Sequence, residues 1–284
     1  MFPVDLHSHS HYSPDGHLPV EELFKRAKKL GVKVLAVTDH NTTKQFDDAR
    51  TAAKTVEIET VEGIEVTAAW DGVPVHILGY ANHFDRSVLG EGLRATIEGY
   101  NRLAQEKLKK LVQLGLPRLS FNELLTMTTG EYVANHQIAT ALAQRLHSSY
   151  QYAYSYVKQG GAADFSYGKW ALSPKQAVAL VRRAGGVAIL AHPGWSQKQI
   201  KDAKRTIVQL IDELRNDIVG VEVNHIENTA DGMPQLKRHV KNRGLLLTGG
   251  SDWHGTQFTG FYQLGDWGCA YRTFLKLKEK LARG

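Results

Sequence analysis

The chain has 284 residues, a formal net charge of +6 and an isoelectric point near 9.2. Its apolar share of 42% and charged share of 23% are typical of a globular protein. The mean hydropathy is −0.32 and no apolar run reaches the roughly 18 residues of a membrane span, so we expect no membrane association. The start, MFPVDLHSHS, lacks a charged-then-apolar signal pattern, which predicts a cytoplasmic protein.

Cys269 is the only cysteine, so an intrachain disulfide and a thiolate zinc cage are both excluded. Any bound metal must use nitrogen and oxygen ligands, and the chain has 13 histidines. Such ligands disfavour Cu(I) and iron–sulfur clusters and leave manganese, iron, zinc or magnesium. The positive charge suits an anionic substrate or a nucleic acid, although it is weak support for either.

Seven short apolar runs, rich in β-branched residues or followed by a turn signal, predict buried strands. They lie at residues 3–8, 33–38, 59–66, 73–79, 187–191, 218–223 and 245–249. Helical patterns fall between most of them, at residues 19–30, 43–55, 173–184, 199–215 and 231–243. Alternation of strands and helices predicts an α/β fold with a largely parallel sheet, and seven units suggest a closed or nearly closed barrel.

Residues 85–168 break this rhythm and predict a helical insertion. Helix candidates lie at residues 88–114, 120–127, 135–147 and 150–159. We therefore expect a barrel domain formed by residues 1–84 and 169–284, with the insertion as a substrate-recognition cap. The tyrosine-rich run 150–156 is predicted to be the packing face of an inserted helix, and base stacking is the alternative.

His7 and His9 lie two residues apart in the first predicted strand, so their side chains point to the same side and can hold one ion together. Alone, such a pair is more often two surface histidines. Further imidazoles and carboxylates, however, lie at or near the ends of other strands: His40, Glu65, His76, His192, Asp252 and His254. The ends of parallel barrel strands converge on one face, so this set predicts a metal site.

Each of these residues has an ordinary explanation when it is taken singly. A lone His76 would be a core histidine, a lone Glu65 an ion-pair partner, and Asp15 in SPDG a turn residue. As a set they would repel each other or lie unpaired without cations between them.

The segments DLHSHSHYSPDG, TDHNT, GIEVT, HILGY, LAHPG and GGSDWHG resemble the successive motifs of the PHP (polymerase and histidinol phosphatase) family. The resemblance covers residues 1–84 and about 170–268. It implies a distorted (β/α)7 barrel of the PHP type with two or three divalent metal ions, manganese being favoured and iron or zinc being alternatives.

The resemblance also implies a division of the metal ligands. The first ion takes His7, His9, Glu65 and Asp252; the second takes Glu65, His76 and His192; the third takes Asp15, His40 and His254. Paired ions lower the pKa of a bridging water and neutralise phosphate oxygens, so the resemblance implies hydrolysis of phosphate esters. Glu65, Asp252 and His254 are the candidate catalytic residues, and the general acid stays unassigned.

Within the family the chain most resembles small phosphoesterases that act on nucleotides, such as nucleoside 3′,5′-bisphosphates. The first alternative is a 5′-to-3′ exonuclease on short oligonucleotides, including RNA, and a histidinol phosphatase is a weaker one. A non-catalytic metal-binding scaffold is the alternative from another class. We expect a small phosphorylated partner and no obligate protein partner.

Four residues are candidate substrate contacts. Asn135 and His136 stand in the insertion, where these relatives commonly carry Arg-Pro-His or Arg-Ala-His before Ile-Ala. The arginine is missing here and the histidine stands one place early, which leaves the phosphate contacts open. Asn224 and His225 follow the GVEV strand and are expected to open on the same face.

Overall fold

The computed structural model describes residues 1–129, 131–165, 170–202, 205–228, 232–255 and 262–283. In this part of the chain all seven predicted strands are present, and the α/β class is confirmed. The strands are β1 (Val4–Asp5), β2 (Val34–Leu35), β3 (Glu62–Trp70), β4 (Val73–Ala81), β5 (Val187–Leu190), β6 (Gly220–Asn224) and β7 (Leu246–Gly249).

β1 and β2 form a parallel pair, and the other strands form a sheet in the order β3-β4-β5-β6-β7. β4 runs antiparallel to both β3 and β5, so the expected parallel arrangement is wrong for this strand. Asp71 and Gly72 cause the difference, because both have positive φ angles, of 48° and 83°. Two such residues form a tight hairpin turn between paired Trp70 and Val73, which forces the second strand to run back.

The two sheets meet just beyond the carboxyl ends of the short strands. Isolated parallel bridges join Ser8 to Trp253 and His40 to Glu65. Four segments that carry polar motifs are therefore fixed side by side at one end of the sheets.

The five helices predicted outside residues 85–168 agree with the structure except after β5. The described helices outside this range are α1 (Val20–Lys29), α2 (Phe46–Val56), α7 (Pro174–Arg183), α8 (Pro193–Gln199), α9 (Ile207–Leu214), α10 (Met233–Asn242) and α11 (Tyr271–Leu281). The single helix predicted at 199–215 is replaced by α9, which begins after Thr206, and by α8, which was not predicted. Residue 231, at which the helix predicted for residues 231–243 begins, lies outside the described residues.

The strands separate two apolar clusters. Ile64, Val66 and Ile77 pack outward against α7 and α9. Leu78 and Tyr80 face the opposite cluster, which α11 covers. Side chains of successive strand residues point to opposite sides, so this packing fixes the direction of every polar side chain between them.

Residues 86–157 contain four helices: α3 (Arg86–Gln113), α4 (Phe121–Thr126), α5 (Asn135–Leu146) and α6 (Tyr150–Val157). They share an apolar cluster of their own, to which Ala153 and Val157 of α6 contribute fully buried side chains. Tyr150 and Tyr156 are partly buried against the same cluster, whereas Tyr152 is 52% and Tyr154 36% exposed, so only part of the tyrosine-rich run lies on the packing face. The predicted boundary between residues 168 and 169 lies outside the described residues.

Candidate metal centre

Glu65 lies at the centre of a cluster of histidines and is fully buried. Its Oε2 atom is 3.2 Å from His7 Nε2, 3.2 Å from His9 Nε2 and 3.1 Å from His40 Nδ1. Its Oε1 atom is 2.8 Å from His76 Nδ1. One carboxylate therefore faces four ring nitrogens from three separate segments of the chain.

The strands explain how Glu65 and His76 meet. Ile64 and Val66 pack outward, so alternation turns Glu65 to the inner side of β3. His76 pairs with Thr67 across the antiparallel ladder. Leu78 lies directly opposite Glu65, so His76 is two residues before that partner and reaches Glu65 diagonally across the ladder.

His192 completes the group on Glu65 Oε1. Its Nε2 atom is 3.0 Å from that oxygen and 3.3 Å from His76 Nδ1. His192 lies two residues beyond the end of β5 and is buried. Glu65, His76 and His192 are the ligands that the family resemblance implies for the second ion.

Asp252 lies on the other side of the pair formed by His7 and His9. Its Oδ1 atom is 3.2 Å from His7 Nε2 and 3.0 Å from His9 Nε2. Its φ angle is 52°, a left-handed conformation that aspartate tolerates better than most residues. The side chains of His7, His9, Glu65 and Asp252 offer one ligand atom each within 4.8 Å of one another.

Gly250 allows the loop after β7 to pass over His7. A Cβ atom at this position would lie 2.5 Å from the His7 backbone nitrogen, so any other residue would clash. The Asp252 backbone N–H then donates to the His7 carbonyl at 2.8 Å. The glycine pair in GGSDWHG thus brings Asp252 within reach of the first strand.

A third group lies nearer the surface. Asp15 Oδ2 is 3.7 Å from His40 Nε2 and 3.6 Å from His254 Nε2. The ring of His254 stacks on that of His9 with centroids 4.0 Å apart. Together with His9, these residues also offer ligand atoms within 4.8 Å of one another.

The polar atoms at the centre fit a set of metal ligands. His7 Nε2, His9 Nε2, Glu65 Oε2 and Asp252 Oδ1 are buried and have no hydrogen-bond partner in the described part of the chain. Buried polar atoms are costly unless something satisfies them. Their spacing of 3.0–3.2 Å matches that of ligands held about 2.0–2.2 Å from one cation. The residues present therefore fit divalent metal ions.

The electrostatics also favour cations. Burial alone would raise the pKa of Glu65, but the surrounding histidines, His40 first, hold it well below its usual value. Burial lowers the pKa of His40 to about 3 despite the nearby Glu65 and Asp15 carboxylates. Burial lowers the pKa of His7 and His9, but the carboxylates around them raise it above its usual value, so a bound cation would displace protons from these imidazoles.

Glu222 is a buried carboxylate that the sequence reasoning missed. Both of its oxygens lie 3.1 Å from His7 Nδ1, and Oε2 accepts the His192 backbone N–H at 2.9 Å. A carboxylate on the far nitrogen of a histidine fixes the tautomer and ring orientation, which leaves His7 Nε2 free to bind a cation. An acidic residue in the apolar strand VGVEV was the available signal.

We expect Glu222→Gln to weaken divalent metal binding about 10- to 100-fold, because the neutral amide polarises His7 less than a carboxylate does. Titration of the metal-free protein with Mn²⁺ measures the change. Glu62→Gln is the matched control, since Glu62 is another buried carboxylate of the sheet and pairs with Arg50 instead. Equal affinities of Glu222→Gln and the wild type would show that Glu222 does not orient a ligand.

A cavity of about 740 Å³ opens onto the cluster. His40, His76 and His254 line it from the metal centre, and Asn135 and His136 line it from the insertion. The two insertion residues predicted to contact substrate therefore share a cavity with the cluster.

Asn224 and His225 do not line this cavity. Asn224 Nδ2 donates to the Gly268 carbonyl at 3.1 Å. His225 is fully buried, with its Nε2 atom 3.3 Å from Asp252 Oδ2. His225 therefore contacts the candidate metal ligands from the buried side. Contact of Asn224 or His225 with substrate stays a prediction, and their positions outside the cavity give it no support.

The fold is α/β with a mixed sheet, and its histidines and carboxylates gather under an open cavity. This arrangement is typical of a metal-dependent enzyme. No helix of the described residues is both long and apolar enough to cross a bilayer. The model of the PHP domain matches residues 5–226. The chain belongs to the PHP domain family, and it is a metal-dependent phosphoesterase.

Individual relatives match over nearly the whole chain. A 5′-3′ exoribonuclease from Haemophilus influenzae is 33% identical over 263 residues, covering 88% of this chain and 89% of the relative. A 3′,5′-nucleoside bisphosphate phosphatase from Chromobacterium violaceum is 28% identical, covering 89% and 88%. The crystal structure of a candidate metal-dependent phosphoesterase from Bifidobacterium adolescentis, 27% identical, superposes with a TM-score of 0.79 and covers 99% of this chain and 96% of that one.

Proposed function

We propose that the cluster holds two or three divalent cations, with manganese favoured and iron or zinc as alternatives. The proposed ligands are His7, His9, Asp15, His40, Glu65, His76, His192, Asp252 and His254. The observation that carries this proposal is the position of Glu65, which faces four ring nitrogens at 3.2 Å or less across its two oxygens, as well as His192. A carboxylate with histidines on both oxygens is arranged to be shared between neighbouring ions.

Bound divalent cations would supply an activated water and neutralise charge on phosphate oxygens. The chain provides the rest of the site. Glu65 stays ionised and anionic, while Asp15 and His254 line the cavity next to the cluster, where a phosphate enters. Asn135 and His136 extend that wall and are the proposed substrate contacts from the insertion.

We infer that the two sheets form one distorted seven-stranded barrel and that the insertion acts as its cap. The bridges between Ser8 and Trp253 and between His40 and Glu65 support the first inference. The separate apolar cluster of α3–α6 supports the second.

The preferred substrates are phosphate monoesters of nucleotides, such as nucleoside 3′,5′-bisphosphates. The bisphosphate phosphatase relative supports this choice. The cavity volume of about 740 Å³ lies within the range of small-molecule sites, which is about 300–1,000 Å³. Stepwise 5′-to-3′ hydrolysis of short RNA is the second candidate, supported by the exoribonuclease relative.

A length series distinguishes the two. We expect Mn²⁺-loaded protein to release phosphate from a nucleoside 3′,5′-bisphosphate with a higher kcat/KM than it shows on 5′-phosphorylated RNA of two to five nucleotides. Rates that rise with oligomer length would favour the exonuclease. Absence of hydrolysis on every ester tested would contradict the phosphoesterase and leave the metal-binding scaffold.

A further inference from the structure

One face of α6 lines the cavity above the metal centre. Tyr150, Tyr154 and the adjoining Lys158 are spaced four residues apart, so they follow one another along the same side of the helix. All three line the cavity that His76 and His254 also line. Ala153 and Val157 pack α6 into the insertion, with Tyr150 partly buried against the same cluster, while Tyr154 is 36% exposed.

The two tyrosines stack on each other and give the cavity an aromatic surface. Their ring centroids are 5.5 Å apart and their planes differ by 16°. Tyr154 remains 36% exposed, while Tyr150 is half-buried. An open aromatic face in a ligand cavity is suited to stacking against another flat ring, and nucleobases stack on such faces regardless of their sequence identity.

Lys158 adds a positive charge at the end of this surface. It is the only lysine or arginine among the described residues that line the cavity. Lys158 is exposed, and no ion pair between described residues involves it. A cation that is not paired within the protein can bind an anionic group of a ligand.

We propose that Tyr150, Tyr154 and Lys158 recognise the part of the nucleotide that does not react. The base stacks on the tyrosines, and Lys158 binds a second phosphate while the reacting phosphate lies at the metal centre. This inference rests on the proposed nucleotide phosphatase function. It assigns substrate selection to α6 and predicts a preference for esters that carry both an aromatic base and a second phosphate.

Two substitutions and four substrates test the assignment. The substrates are a nucleoside 3′,5′-bisphosphate, a nucleoside monophosphate, an abasic ribose bisphosphate and p-nitrophenyl phosphate. We expect Tyr154→Ala to raise KM roughly tenfold for the two substrates with a base and to leave the abasic one unchanged. We expect Lys158→Gln to raise KM about fivefold for the two bisphosphates and to leave the monophosphate unchanged. Both variants should still hydrolyse p-nitrophenyl phosphate, which checks that the metal centre is intact.

Tyr152→Ala is the matched control for the tyrosine. Tyr152 stands on the same helix, is 52% exposed and does not line the cavity. Lys110→Gln is the control for Lys158→Gln. Like Lys158, Lys110 lies near the end of a helix in the insertion. If Tyr154→Ala and Lys158→Gln behave as these controls do, the α6 site is wrong while the phosphatase stands. If the wild type releases no phosphate from any of the substrates, the proposed function itself fails.

Discussion

Glu65→Gln should lower kcat/KM for phosphate ester hydrolysis by about 1,000-fold or more. Each Glu65 oxygen faces at least two histidines, at 2.8–3.2 Å. The amide is almost the same size but carries no charge, and its nitrogen would present a donor where a cation needs a lone pair. Loss of metal-assisted charge stabilisation costs several kcal/mol, which corresponds to a rate loss of this order.

The measurement combines steady-state kinetics with the metal content of the purified variant. Glu227→Gln is the control, because Glu227 is a carboxylate that lines the same cavity and pairs with Lys198 rather than with the histidines. It should retain the wild-type metal content. A Glu65→Gln protein with normal metal content and turnover would remove Glu65 from the centre.

His192→Ala should remove one ion and reduce kcat by about 100-fold or more, while the fold persists. The imidazole Nε2 faces Glu65 Oε1 at 3.0 Å and His76 Nδ1 at 3.3 Å, so its loss opens one group of ligands and leaves the pair His7 and His9 intact. The His192 backbone N–H bond to Glu222 survives in an alanine variant, because it does not involve the side chain.

Circular dichroism and thermal unfolding would check that the variant is folded. His239→Ala is the control, since His239 pairs with Asp212 outside the cluster. We expect wild-type turnover from the control. Wild-type turnover from His192→Ala at saturating Mn²⁺ would contradict the assignment of this residue.

Much of the candidate site could be predicted from the sequence because its parts follow strands. His192 lies two residues beyond β5, and Asp252 lies three residues beyond β7. Local hydrophobic patterns locate such strands, and parallel strands bring their carboxyl ends together. The grouping of ligands around individual ions came from the family resemblance and not from this argument.

The direction of β4 shows where the reasoning failed. An apolar run has the same pattern whether the strand runs parallel or antiparallel, so periodicity gives no direction. The Asp71-Gly72 pair between two strand patterns was a hairpin signal, and it was not used. His76 reaches the centre through this reversal.

Glu222 and the tyrosines of α6 illustrate contacts that only the tertiary structure defines. The partner of Glu222 is His7, which is 215 residues away in the chain. The packing side of α6 is set by Ala153 and Val157, with Tyr150 and Tyr156 partly buried beside them. The alternation of tyrosines with these residues gives no clear apolar stripe in the sequence. Sequence patterns report local periodicity. They do not show which distant side chain will contact a given residue in the folded protein.

The most direct test of the metal centre is elemental analysis of the purified protein at known protein concentration. Two or three divalent transition-metal ions per chain, lost together with activity on chelation and regained with Mn²⁺, are the predicted result. Full phosphoesterase activity in protein that contains less than one such ion per chain would contradict the account.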